Sequence, residues 1–163
     1  MTKEGYIKAK EFFNAHKKLK TIAVAWQKGA EILIYLTYPI FLAVLFFQNN
    51  SFWYKSMLVC GIGFVAVSIF RNIYNAPRPY QVYDITPIIN KNSPGKSMPS
   101  RHCFSAAVIA TSISAVNLPL GIALGVLAVS IAVLRVALGV HFIKDVTVGI
   151  LLGATIGAVQ FFI

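Results

Sequence analysis

Five apolar runs, each close to the length of a bilayer crossing, leave this chain few ways to fold. They cover residues 29–48, 53–72, 101–117, 119–138 and 145–163. A helix needs about 20 apolar residues to cross the hydrocarbon core. With no water there, a spanning segment must satisfy its own backbone hydrogen bonds, which points these runs to helix. The third, rich in Ala, Ser and Thr, is marginal for a crossing. Charged residues make up only 12% of the chain and hydrophobic ones 57%, whereas a soluble domain carries about 25% charged. The expectation is an all-α integral-membrane bundle of about five spans over residues 29–163.

Residues 1–28 are different. Lysines alternate there with Ile7, Phe12, Phe13 and Leu19, and Phe12, Phe13, His16 and Leu19 can share one face, so a basic amphipathic helix lying on the membrane surface is expected. The first twenty residues have no apolar core of the kind a cleavable signal peptide needs. In a soluble protein a net charge of +10 would suggest nucleic acid. In an apolar chain it points to anionic lipid headgroups or a phosphorylated substrate, and no nucleic-acid partner is expected. Cys60 and Cys103 have no metal-ligand spacing and read as small packing residues. Gly61, Gly63 and Ser68, and Gly149, Gly153 and Gly157 at i+4 spacing, suit close helix contacts. Glu31 falls near the start of the first run, within reach of the interface, and Pro39 is positioned to kink that helix. Lys91, Lys96 and Lys144 read as interface anchors.

Tracing the runs alternately through a bilayer brings three polar segments to one face. The second run ends at Arg71, followed by a proline-rich loop with Arg78. The third begins at Pro99-Ser100-Arg101-His102. The fourth ends at Arg135, with His141 and Asp145 leading into the fifth. Arg71, Arg78 and Arg135 are permanently charged forks suited to phosphate oxygens, and they repel one another unless an anion sits among them. The helix start after Ser100 adds backbone N–H groups. If the turn into the fifth run is helical, His141 and Asp145 share a face at i, i+4. The carboxylate then fixes the tautomer of one ring nitrogen and leaves the other to attack. His102 is placed to protonate a departing alkoxide. Singly, each of these residues reads as a snorkelling or packing side chain.

The segments RNIYNAPRP (71–79), PSRH (99–102) and LRVALGVHFIKD (134–145) keep the order and internal spacing of three signatures, K-x6-R-P, P-S-G-H and S-R-x5-H-x3-D. The chain over residues 29–163 thereby resembles the type 2 phosphatidic acid phosphatase superfamily, integral-membrane lipid phosphatases related in fold to vanadium haloperoxidases. The resemblance implies hydrolysis of a lipid phosphomonoester or pyrophosphate: undecaprenyl pyrophosphate, phosphatidylglycerophosphate or phosphatidic acid. It makes His141 the nucleophile of a phosphohistidine, oriented by Asp145, and His102 the acid for the leaving lipid alcohol or inner phosphate. Arg71, Arg78, Ser100 and Arg135 then hold the phosphoryl oxygens, and Arg101 adds its backbone N–H. It implies no metal and no cofactor. Arg71 stands for the usual Lys, Arg101 for Gly and Leu134 for Ser; these departures bear on substrate preference.

Seven lysines precede residue 29, and the positive-inside rule puts their side, and the site with it, in the cytoplasm. The family's habit is an extracytoplasmic site, which is the orientation adopted for this multi-pass cell-membrane protein. Rival readings are a small transporter or a silent scaffold for anionic lipid phosphates. For either, a His–Asp pair with a second His is superfluous.

Overall fold

The computed structural model of the chain describes residues 1–89 and 94–162; Lys91 lies outside them. The described residues are helical or irregular. The helices are α1 (Lys3–Ala15), α2 (Lys17–Phe47), α3 (Phe52–Tyr74), α4 (Pro79–Val82), α5 (Arg101–Ser114), α6 (Leu118–Ala137) and α7 (Ile143–Ala158), closed by a 3-10 turn at Val159–Phe161.

Four segments are long and apolar enough to cross a membrane: Lys17–Phe47, Phe52–Val82, Leu118–Ala137 and Ile143–Phe161. The third expected run makes only the 14-residue α5, about 21 Å long at 1.5 Å per residue. What it lacks in length it makes up in position. Ten of its fourteen residues are buried, so α5 is the central post and the longer helices stand around it. Large apolar side chains on those helices, such as Ile62, Val126, Val133 and Leu151, point outward and are exposed, as expected of a surface solvated by lipid tails.

The glycines explain how a thin post can be wrapped so closely. A Cβ on Gly149 would lie 2.7 Å from the Ser100 carbonyl, one on Gly153 2.5 Å from that of Phe104, and one on Gly157 2.7 Å from the Thr111 Cβ. The i+4 stripe of α7 is therefore pressed against α5 along its length. Gly63 packs against Ile156 and Phe104, whereas Gly61 has nothing within 4 Å and borders a groove instead. Cys60 and Cys103 are buried and unpaired with each other, and Cys60 Sγ lies 3.2 Å from Ser112 Oγ.

The first run begins earlier than its hydropathy suggests. α2 starts at Lys17, so residue 28 falls inside it, and the helix continues through Pro39 to Phe47. His16 breaks the chain between α1 and α2 (φ −113°, ψ 69°), its ring lying 4.6 Å from that of Phe12. Phe12 and Leu19 are exposed, but Tyr6 on the other side of α1 is buried. α1 is thus fastened to the rest of the protein at the end that bears the polar segments.

Candidate active site

Residues 94–100 fold back over the end of α3. Asn75 closes α3 in the left-handed conformation (φ 41°), and its side-chain oxygen accepts from the Lys96 N–H at 3.2 Å. The Ser97 N–H donates to the Ala76 carbonyl at 2.9 Å. Gln81 Oε1 accepts from the N–H groups of Arg78 (3.0 Å) and Gly95 (2.9 Å). Arg71 anchors the same loop: its guanidinium donates to the carbonyls of Lys96 and Pro99, and to that of Ser97 at 3.3 Å. Here the guanidinium's several donors matter, since the ammonium of a Lys could not reach three carbonyls in a fixed fork.

The turn between α6 and α7 presents the histidine. Gly139 takes φ +78°, a region open to glycine without a Cβ penalty. The Arg135 carbonyl accepts from both the Val140 N–H (3.1 Å) and the His141 N–H (3.2 Å). His141 therefore precedes α7, which begins at Ile143, and the expected helical i, i+4 face does not form. Asp145 instead caps the helix start, its Oδ2 accepting from the Phe142 N–H at 3.0 Å. The same oxygen accepts from Ser97 Oγ at 2.5 Å and lies 3.5 Å from His141 Nδ1. Capping is the physical reason for the difference, since an acid at the third helical position satisfies an orphan N–H. The pairing of His141 with Asp145 survives by another geometry.

His141 is 1% exposed. Its Nδ1 faces Asp145 and Ser97 (Oγ at 3.3 Å), while Nε2 lies 3.5 Å from Arg78 Nη1. Burial, with the charges of Arg78 and Arg135 adding, pulls the imidazole down from 6.5 to about 4 against the opposing pull of Asp145. The ring is neutral at pH 7. Arg78 is itself held by the Gly95 carbonyl (3.0 Å) and the Val140 carbonyl (3.3 Å).

A cavity of about 290 Å³ opens here, bounded among others by Arg71, Arg78, Lys96, Arg101, His102 and His141. Ser100, Arg135 and Asp145 are buried beside it without lining it. Among the described residues, three buried polar atoms in this group have no partner: Ser100 Oγ, Arg135 Nε and Asp145 Oδ1. Unpartnered buried polar groups are costly and uncommon. Arg101 and His102 also border a second, largely apolar groove of about 520 Å³, where Tyr35, Tyr38, Phe64 and Val108 line α2, α3 and α5. The Arg101 guanidinium lies 5.4 Å from the Phe64 ring centre. Lys96 lines the polar cavity, and Lys144 lies over the Phe142 ring, 5.6 Å from its centre.

Three participants escaped the sequence reading. Ser97 had no signal beyond lying in a polar loop. Glu31, expected only to reach the interface, is in fact paired with Arg135, and its other oxygen lies 3.9 Å from His102 Nε2. An acid inside an apolar run was the available clue. Tyr6 donates its hydroxyl to the His141 carbonyl at 3.0 Å from within a cage of Tyr83 and Phe142 rings. Burial and the Asp145 charge push that hydroxyl well above the usual tyrosine range, so it stays a donor. Tyr6→Phe, which removes the hydroxyl and keeps the ring, is expected to lower stability by about 1–2 kcal/mol and turnover several-fold. Thermal unfolding in detergent checks the first; an unchanged transition would show that α1 does not brace the His141 turn.

Comparison with known proteins bears on the family and the fold. The PAP2 superfamily model matches residues 52–162. The decaprenylphosphoryl-5-phosphoribose phosphatase of Mycobacterium tuberculosis is 37% identical over 108 residues, covering 64% of this chain and 59% of that protein. The chain thus spans little more than half the length of that relative. Among solved structures, Aquifex aeolicus LpxE superposes with a TM-score of 0.72 at 26% identity, over 88% of this chain and 87% of the other. The first transmembrane PAP2 type phosphatidylglycerolphosphate phosphatase from Bacillus subtilis shares the fold at a TM-score of 0.65 and 22% identity, over 96% of this chain and 90% of the other. An all-helical membrane protein with its three polar signatures gathered at one end, this chain belongs to the PAP2 superfamily.

Proposed function

We propose that this protein is a metal-independent membrane phosphatase that removes the terminal phosphoryl group of a lipid phosphomonoester or lipid pyrophosphate through a phosphohistidine at His141. The observation that carries the reading is the meeting of a cationic cavity and an apolar groove at Arg101 and His102. A phosphorylated headgroup fits the first while its tail lies in the second and in the surrounding bilayer. The nitrogen of His141 left over by Asp145 and Ser97 attacks phosphorus. Arg71, Arg78 and Arg101 face the phosphoryl oxygens from the cavity wall. Ser100 Oγ and Arg135 Nε supply the donors that a small shift would bring to bear. Fixed cations of this kind suit phosphoryl transfer, which depends mostly on positioning and charge stabilisation.

In the first step the P–O bond to the leaving group breaks, and His102 gives its proton to the departing oxygen. In the second, His102 takes a proton from water as that water attacks the phosphohistidine, releasing phosphate and restoring both histidines. The substrates to test are undecaprenyl pyrophosphate, phosphatidylglycerophosphate and phosphatidic acid. The similarity to a phosphatase of a polyprenyl-linked phosphosugar adds a fourth class. Purified protein is expected to release phosphate from at least one of them, with activity surviving EDTA and blocked by vanadate, a mimic of the five-coordinate transition state. Absence of turnover across the panel would instead favour a transporter or a binding scaffold.

A further inference from the structure

The chain has five acidic residues, and one of them, Glu31, is placed inside the apolar helix α2. A carboxylate there is costly unless its charge is used. Its surroundings divide its two oxygens. Oε1 accepts from the Arg135 guanidinium and from Gln27 Nε2, one helical turn earlier, at 3.2 Å. Oε2 is turned the other way and lies 3.9 Å from His102 Nε2. The Glu31 side chain is 16% exposed and that of His102 27%, so water screens the pair only partly.

We propose that Glu31 is the positioning residue of the proton-donating His102, making a second carboxylate–histidine pair beside that of Asp145 and His141. The proposal rests on the phosphatase reading above. His102 shares its cavity with the cations Arg71, Arg78, Lys96 and Arg101, and each opposes a further positive charge. A carboxylate at ion-pair distance offsets that repulsion and lets an imidazolium persist where the leaving oxygen needs a proton. At 3.9 Å the contact is longer than a hydrogen bond, so Glu31 acts on His102 through its charge. Asp145 Oδ2 is already engaged by His141, Ser97 and the start of α7.

The reaction separates this role from a merely structural one. An alkyl phosphate leaves as a strongly basic alkoxide and needs the proton, whereas p-nitrophenyl phosphate leaves as a stable phenolate and does not. The ratio kcat/KM reports steps only as far as release of the alcohol, so slow hydrolysis of the phosphohistidine does not blur the comparison. Glu31→Gln keeps an oxygen acceptor for Arg135 and Gln27 and removes the charge facing His102. We expect kcat/KM to fall roughly tenfold to a hundredfold on dodecyl phosphate and less than about threefold on p-nitrophenyl phosphate. Glu31→Asp keeps the charge but withdraws it by one methylene, and gives a smaller split of the same sign. That variant carries the test if Glu31→Gln fails to fold. An equal loss on both substrates, or no loss on either, overturns the proposal. Inactivity of the wild-type protein on both would instead count against the phosphatase reading itself.

Discussion

His141→Ala is expected to lower phosphate release by roughly 10⁴-fold or more, the scale at which loss of a covalent nucleophile leaves only binding and electrostatics. A drop of that size is not what a packing residue gives. The ring occupies a buried turn between α6 and α7, and its loss leaves a small void. The control is therefore chemical. Wild-type protein quenched during turnover is expected to hold acid-labile phosphate, and His141→Ala none. His102→Gln with p-nitrophenyl phosphate, whose leaving group needs no proton, is expected to hold more than wild type, because the residue proposed to activate water is missing. Full activity in His141→Ala would remove the mechanism. The ring's protonation supplies an independent check. Its pKa lies near 4, below the ordinary 6.5, because burial and the Arg78 and Arg135 charges disfavour the cation. The nucleophilic neutral form is then present above about pH 4–5 and is lost only as pH falls through that range. Once the substrate's own phosphate ionisation is divided out, the acid limb of kcat/KM is expected near pH 4. A limb at 6.5 would mean that the cavity does not desolvate His141.

How much of this was legible in the residues depends on whether a feature is local. The three signatures kept their spacing, and the apolar runs told which ends of which helices would meet, so Arg71, Arg78, His102, Arg135 and His141 could be gathered on one face before any coordinates. Hydropathy could not tell that the third run would be the enclosed post. Its Ala, Ser and Thr content reads as a weak span, yet small residues are what allow α7 and the other helices to close upon it. Asp145 was paired correctly with His141 by a wrong geometry, because spacing of four residues counts the same whether the first residue lies in the helix or just before its cap. Glu31 and Tyr6 were out of reach for a different reason. Each contacts the site across more than 70 residues of sequence, Glu31 to His102 and Arg135 and Tyr6 to His141. Nothing in a local pattern pairs a lone acid in one helix with a guanidinium at the end of another.

Gly153→Ala is expected to be strongly destabilising for a single added methyl group, and the post-and-wrap arrangement explains why. The added Cβ would lie 2.5 Å from the Phe104 carbonyl oxygen and 2.8 Å from the Ala107 Cβ, and neither is the far end of a flexible side chain. Relief requires α7 to move away from α5. Overpacking of this kind costs about 1–3 kcal/mol, and a protein of this size loses roughly 4–8 °C in Tm for 2 kcal/mol. The same displacement acts on the site. The Ser100 N–H donates to the Asp145 carbonyl at 2.8 Å, and Ser97 Oγ donates to the Asp145 side chain. Separating the two helices therefore loosens the carboxylate that faces His141, and activity should fall further than residual folded protein accounts for. Gly125→Ala is the matched control, with nothing within 4 Å of the added carbon. There the better helix propensity of Ala, worth up to about 1 kcal/mol, is expected to leave Tm unchanged or slightly raised. Thermal unfolding of both variants in one detergent decides the matter. If Gly153→Ala unfolds no earlier than Gly125→Ala, the close approach of α7 to α5 is wrong, and with it the reason a 14-residue helix can carry the centre of a membrane bundle.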